Sequence, residues 1–463
     1  DLVYGGDGND TIVIYSDAGI YEGGAGNDTF EILVRAADER EIAGDAGIDR
    51  VSVTGSSVGY VQISATELTL DDNVTITISG IEEFAFDDSD QNITGSAQSD
   101  VVFGGGGLND FQGRGGDDTY HGGAGSERAA GDGGNDVLYG GGGQDMLIGG
   151  AGNDELFGGR GDGDDLNGGD GNDLLQNLRG KGANLNGGDG DDVINIKGTG
   201  GRGDGGAGDD ILNAFGKGVD LFGGADNDIL NGGEHTDRLN GGTGADKLFG
   251  GDGGYDLLSG GGGNDVLRAG DGGADMNGDK GHDTFFGSGA GDFAFGGRGH
   301  DTFRAKGGDD FFDGGAGKDM ARGDRGNDAL EGGAGRDKLF GGAGRDQLDG
   351  GKNGDKLFGG KAKDHLSGGD GHDRLEGGKG ADVLEGGTGR DVFVFAGDAK
   401  SGRDVITDFQ NGKDMIEIGG DVRAKDISID TIRSNVTVSW DTGAVIIDNV
   451  KLENITLADI DFV

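Results

Sequence analysis

From Gly260 the chain reads GGGGNDVLR, AGDGGADMN, GDKGHDTFF, GSGAGDFAF, GGRGHDTFR, and it continues in nines to Val394, so a carboxylate returns at the sixth place of almost every unit. Hard oxygens repeated at fixed spacing among loop carbonyls suit calcium, which takes roughly six to eight oxygen ligands from carboxylates and backbone. Stacked in alternation, Asp265, Asp283, Asp301, Asp319, Asp337, Asp355, Asp373 and Asp391 would line one side, and Asp292, Asp310, Asp328, Asp346, Asp364 and Asp382 the other. Earlier in the chain the candidates are Asp10, Asp28, Asp118, Asp136, Asp145, Asp154, Asp165, Asp173, Asp192, Asp210, Asp228, Asp237, Asp246 and Asp256. Without a cation, each column sets like charges one coil apart, and their repulsion opposes folding. Aspartate is also an ordinary turn former. That role does not account for a strict sixth position.

The elements that must hold these carboxylates follow from the same unit, GGxGxDxUx, in which U is large and apolar: Leu267, Phe285, Phe303, Leu330, Leu339, Leu348, Leu375 and Leu384. Glycine allows the positive-φ turn of a tight loop, and xUx is long enough for a short strand with one inward side chain. Each nonapeptide is therefore one loop and one strand, and two of them make a coil. Sixteen more units run back from Gly260 to Gly113, three of them with ten residues. The period is too short for a helical solenoid, and glycine at this density would cost a helix roughly 1 kcal/mol at each occurrence.

The array resembles the RTX (repeats-in-toxin) family of calcium-binding β-rolls, whose nonapeptide this is. The resemblance implies an all-β fold, a right-handed parallel β-roll (a β-solenoid), with calcium between loops of adjacent coils, held by these aspartates and by loop carbonyls. Roughly one ion per well-formed loop is expected. A β insertion is expected near the N-terminus and a β cap at the C-terminus. The expected divisions are a short roll at 1–51, an insertion or cap without the calcium signature at 52–103, the main roll at 104–394, and a cap with a secretion-signal region at 395–463.

Exceptions to the pattern are informative. Three loops lack it, in NLRGKGANLN (177–186), IKGTGGRGD (196–204) and AFGKGVDLF (214–222), and they carry Arg179, Lys181, Lys197, Arg202 and Lys217. Either fixed cations or simple neutrality replaces calcium there, unless the repeats have merely drifted. Glu127 and Ala274 also occupy the sixth place, with Asp275 available to compensate for the latter.

At the ends the glycines thin out. Residues 1–51 hold three related units, GGDGNDTIV, GGAGNDTFE and GDAGIDRVS, followed by alternating stretches such as TELTLDDNVTITI and IEEFAFDD. Beyond Asp391, the segment around Asp404, Ile406, Asp408, Phe409, Gly412, Asp414 and Ile416 is similar to the DxIxDFxxGxDxIxL cap of serralysin-like proteases and other type I secretion substrates, with Ile418 where leucine is common. NVTVSW, a turn at Asp441 to Gly443, and AVIIDNV read as a terminal hairpin. The ending ADIDFV is similar to uncleaved type I export signals, and the start at Asp1, inside a repeat, reads as a processed product or fragment.

Composition narrows function further. With 113 glycines, no cysteine, no proline and a net charge of -49, the chain cannot build an ordinary core or staple itself with disulfides, and folding needs the carboxylates neutralised. The charge disfavours nucleic acid, and no apolar run is long enough for a membrane helix. HExxH is missing, no Gly-x-Ser-x-Gly elbow lies between a strand and a helix, and the GxGxxG matches open no helix. The six histidines (His121, His235, His282, His300, His365 and His372) lie in the array, several in loop slots. No catalytic site and no organic cofactor is therefore expected.

Three functions remain: a secreted calcium-binding structural protein that forms an extracellular layer, fibre or matrix; the secretion and folding module of a larger toxin or hydrolase; and a polysaccharide-binding module. Residues 1–100 hold 3 basic and 21 acidic side chains, against 16 and 20 in 301–400. That asymmetry points to self-association, head to tail or in a lattice, or to docking on anionic cell-surface polysaccharide. The type I exporter is the expected partner during secretion.

Overall fold

The strands are short because each unit offers one apolar residue between two outward ones. In the computed structural model, which describes residues 2–15, 19–33, 40–54, 60–64, 67–70, 74–79, 81–87, 90–396, 402–420, 422–432, 435–440, 443–448, 455 and 457–462, every full repeat forms such a strand. Successive strands fall alternately on two parallel sheets, and each pairs with the strand one coil away, as Thr284–Phe286 pairs with Thr302–Arg304 through Phe285 beside Phe303. The fold is a parallel β-roll. Only two short 3-10 turns, Ala424–Asp426 and Leu457–Asp459, depart from sheet and loop among the described residues, and no helix there is long and apolar enough to cross a membrane.

The chain divides into two compact units, Asp1–Ile229 and Leu230–Val463. Within the first, one sheet runs in parallel steps through Thr11–Ile14, Thr29–Leu33, Arg50–Thr54, Glu83–Phe86 and Val101–Phe103 and onward without a break. The other sheet departs from parallel pairing only where the glycines stop. There Val74–Ser79 adds parallel to Arg40–Ala46, Glu67–Leu70 pairs antiparallel with it and with Tyr60–Ile63, and Gln91–Thr94 resumes the parallel ladder. The segment from 52 to 103 thus places one antiparallel strand inside a sheet that is otherwise continuous.

Within the second unit, the parallel ladders run through Val383–Glu385 to Arg403–Ile406 and through Val392–Phe395 to Met415–Ile418. Asn435–Trp440 and Gly443–Ile447 form the expected terminal hairpin, whose turn at 441–442 lies outside the described residues. That hairpin adds parallel to Arg403–Ile406, and Ile460–Phe462 adds parallel to Met415–Ile418. Both sheets therefore receive a strand at this end, which covers edges that would otherwise invite pairing.

The core is one side chain deep from each sheet. Leu330, Leu339, Leu348, Leu357, Leu366, Leu375 and Leu384 are buried in unbroken succession. Such a core removes little apolar surface per residue, so it cannot by itself offset the ordering of so many glycines.

Candidate metal columns

Each sixth-place aspartate stands two residues before the core side chain, and alternate residues of a strand share a face. The carboxylate is therefore turned inward with the apolar residue, at the junction of loop and strand. Asp283 and Asp301 are 1% exposed beside the fully buried Phe285 and Phe303. One oxygen of each carboxylate is used structurally. The Asp283 backbone N–H donates to Asp301 Oδ1, Asp301 to Asp319, Asp319 to Asp337, and Asp337 to Asp355, each at 2.8 Å. The series continues through Asp373 and Asp391 to Asp414. A second series in this unit runs Ala274, Asp292, Asp310, Asp328, Asp346, Asp364, Asp382, Asp404. In the first unit the corresponding runs are Asp10, Asp28, Asp49 and Asp100, Asp118, Asp136, Asp154, Asp173, Asp192, Asp210, Asp228.

The other oxygen is left over. Oδ2 of Asp118, Asp136, Asp154, Asp192, Asp283, Asp301, Asp319, Asp337 and Asp355 is buried without a hydrogen-bond partner. It lies against the first glycine of its own loop: a Cβ on Gly131 would collide with Asp136 Oδ2, and one on Gly278 with Asp283 Oδ2. A second loop glycine is needed for its backbone, since Gly134 has φ of 129° and packs on the carbonyl of Gly116. Burial raises these acids above the ordinary carboxylate value, and in Asp118, Asp154, Asp192, Asp283, Asp319 and Asp355 the neighbours above and below add to it. Asp319 rises to about 7 from burial and from Asp301 and Asp337, against the lowering hydrogen bond from the Asp301 backbone. Asp355 rises to about 8 in the same way, with Asp337 and Asp373 as neighbours. Asp118, Asp192 and Asp391 rise to about 7.

Hard, buried, unpaired oxygens facing loop backbone fit calcium. Nitrogen and sulfur donors take no part. Among the described residues no three histidine, aspartate or glutamate side chains converge. A cation here would take two carboxylates at most, and its remaining ligands would be carbonyls or water.

Three readings of the sequence need correction. Asp165 is exposed at the start of its strand; its neighbour Asp164 is the buried one, accepting from Asp145 N–H at 3.1 Å and from Asn177 Nδ2 at 2.9 Å. In that ten-residue unit the two-residue spacing to Leu166 selects Asp164, and strand alternation turns Asp165 outward. Asp275 does not compensate for Ala274: it points outward and accepts from the Tyr255 hydroxyl at 2.6 Å. In the three exceptional loops the column is filled by Ala183 and Val219, both buried, with Gly201 between them. Lys197 and Arg202 instead lie over the outward rings of Phe215 and Phe222, and Arg202 pairs with Asp204. Arg179, Lys181 and Lys217 are exposed, so neutrality, not fixed cations, replaces the carboxylates.

Asp49, Asp100, Asp164, Asp404 and Asp414 are column residues that were not among the candidates, all 5% exposed or less. Each obeys the same spacing to a buried residue, Val51, Val102, Leu166, Ile406 and Ile416. Counting back in nines from Gly113 would also have reached Asp100, through GGGGLNDFQ and GSAQSDVVF. His282 and His300 stack at 4.7 Å, and the His300 backbone N–H donates to His282 Nδ1 at 2.7 Å.

The reassignment is testable. Asp164→Ala removes the acceptor for two buried donors and should destabilise the calcium-loaded fold by about 1–3 kcal/mol, read as a lower urea midpoint. Asp165→Ala should shift that midpoint hardly at all. Equal effects would return the site to the sequence-based choice.

The family model described as "RTX calcium-binding nonapeptide repeat (4 copies)" matches residues 1–13, 87–120, 94–127, 121–156, 130–165, 145–175, 220–248, 249–285, 286–321, 322–357 and 358–393, well over half of the chain. The gap at 176–219 coincides with the loops that lack carboxylates. No curated protein matches. Among solved structures, the chain is similar to the AlgE6R3 subunit of the Azotobacter vinelandii mannuronan C5-epimerase, with 24% identity and a TM-score of 0.22 over 25% of this chain and 76% of that one. It is also similar to the extracellular lipase LipA of Serratia marcescens, with 19% identity and a TM-score of 0.19 over 52% of this chain and 39% of the lipase.

Proposed function

Since the chain belongs to the RTX calcium-binding nonapeptide-repeat family, we propose that it is a secreted, non-catalytic structural protein that folds when calcium enters its aspartate columns outside the cell and then assembles into an extracellular layer or fibre. The observation that carries this reading is the series of buried carboxylates, continuous from Asp283 to Asp391, whose second oxygens have no partner. Calcium would supply the missing positive charge. Asp283 with Asp301, Asp319 with Asp337, and the equivalent pairs on the opposite column would hold it, together with loop carbonyls. The chain's own residues do the rest: the backbone N–H groups fix one oxygen of each carboxylate, the loop glycines make room for the other, and the core ladder sets the coil spacing.

Export follows from the same chemistry. At -49 the metal-free chain repels itself and stays extended, as a type I exporter requires, and millimolar calcium outside the cell reverses that. Extracellular calcium modules bind with dissociation constants on the order of 10⁻⁴ to 10⁻³ M, so the ion acts as a sensor of compartment. Negative-stain microscopy of the full chain tests the structural role. Ordered layers or fibres are expected at millimolar calcium and should disappear in EGTA; folded particles that stay monomeric would remove the assembly role while leaving calcium binding intact.

A further inference from the structure

Each core residue between Phe303 and Leu384 is flanked in its strand by two outward side chains, so each sheet carries two outward rows that run from coil to coil. The two sheets carry opposite charge. On one of them Arg304 lies in register beside Arg322, and Lys338 beside Lys356. On the other, Asp313 lies beside Glu331, and Glu331 beside Asp349. Like charges placed directly opposite on neighbouring strands are destabilising, and a surface under no other demand would intersperse the signs. None of these seven residues forms an ion pair among the described residues, whereas the next cation along, Arg374, is taken by Glu417 at 2.6 Å. Glu331 feels the crowding: its carboxyl is raised by partial burial and then by Asp313 and Asp349. Phe340 and Phe358 continue the Arg304–Arg322 row and stack at 4.8 Å, with the Arg322 guanidinium 4.7 Å from the Phe340 ring centre, which gives that face an apolar strip.

We propose that this part of the roll stacks face to face with a second copy of the chain, the Asp313–Glu331–Asp349 row of one copy lying over the cationic face of the next, on which Arg304 and Arg322 belong to one outward row and Lys338 and Lys356 to the parallel row beside it. Both faces present one of these charges per coil of the same roll, at about 4.8 Å, so they match in pitch along the roll. An anionic polysaccharide would use the cationic face alone and leave the acidic row without a role; a second copy uses both. Because the two surfaces differ, the contact is heterologous and does not close on itself, and repetition gives an open stack. This rests on the assembly reading and adds to it the surfaces and the direction of growth.

Two charge-reversed full-length chains test it. The first carries Asp313→Lys, Glu331→Lys and Asp349→Lys; the second carries Arg304→Glu, Arg322→Glu, Lys338→Glu and Lys356→Glu. At low salt in millimolar calcium each alone should lose sedimenting material by about tenfold or more against the wild-type chain, and an equimolar mixture should restore it, since reversed faces then meet reversed faces. Far-UV circular dichroism reports whether each variant has folded. Wild-type assembly should also disperse as added salt shortens the screening length below about 10 Å, with no loss of fold, so the test survives a variant that cannot fold.

A single variant that sediments like wild type, a mixture that stays dispersed, or salt-insensitive assembly overturns the proposal. Failure of the second variant alone, accompanied by loss of cosedimentation with alginate, also overturns it and gives the cationic face to a polyanion. Assembled wild type with unaffected variants sinks the stacking alone; a wild-type chain that stays monomeric sinks the assembly reading with it.

Discussion

Excess EGTA at neutral pH should abolish the β-sheet signal of the calcium-loaded chain and expand it to the dimensions of a disordered polymer, and returning calcium should restore both in a steep transition. More than two dozen column carboxylates are buried. In the folded, metal-free chain most of them, Asp283, Asp301, Asp319, Asp337 and Asp355 included, keep one oxygen without a partner and have like charges on neighbouring coils. A one-unit rise in a carboxyl pKa corresponds to about 1.4 kcal/mol. Even if water entering the loops cut the penalty to about 1 kcal/mol for each carboxylate, the sum would exceed the 5–15 kcal/mol by which a domain is ordinarily stable. The one-residue-deep core has nothing comparable to set against it.

The transition should be steep because coils interact chiefly with neighbours: each aspartate accepts the N–H of the one before, so ordering one loop prepares the next. Magnesium at the same concentration should fail, because it demands a small octahedral shell and gives up its waters reluctantly. A compact β-rich spectrum that persists in EGTA would falsify the columns as metal sites.

The roll itself was legible in the sequence because nine residues are the physical unit, a loop that needs glycine and a strand that needs one apolar residue. Legibility failed where the count from the glycines and the distance to the core residue disagree. Asp164 and Asp165 differ only in which face of the strand they occupy, and the inward face is fixed by Leu166, two residues later, whereas an extra loop residue shifts the glycine count. In the sequence Asp404 and Asp414 read only as parts of a cap motif. Their loops are longer, with 22 and 23 residues to the preceding column member, but Ile406 and Ile416 place them in the columns all the same. The antiparallel strand Glu67–Leu70 could not be read from alternation alone, since alternation is the same whichever way a strand runs. The opposed charge rows were hidden for a related reason: Asp313 and Arg322 are nine residues apart in sequence and lie on opposite sheets.

Acid should partly replace calcium. Folding raises Asp118, Asp192, Asp319 and Asp391 to about 7 and Asp355 to about 8, from an ordinary value of 3.8. Between those limits the folded state binds more protons than the unfolded one, so the metal-free fold is favoured as pH falls and loses stability as pH rises from about 4 through 7. A calcium-free chain that is disordered at pH 7.5 should therefore gain β-sheet signal by pH 5, above its isoelectric point of 4.1. Calcium must displace the same protons, so the calcium concentration at half-folding should rise as pH drops from 7.5 to 6. The two trends have opposite sign and one cause: protonation stabilises the empty column and competes with the ion that fills it. A repeat region whose aspartates were merely surface turn formers would show neither, since exposed carboxylates are already ionised throughout this range. Circular dichroism of the dialysed chain against pH, with calcium titrations at each point, separates these cases. A calcium-free chain equally disordered at pH 5 and 7.5 would mean that burial of the columns does not set their protonation.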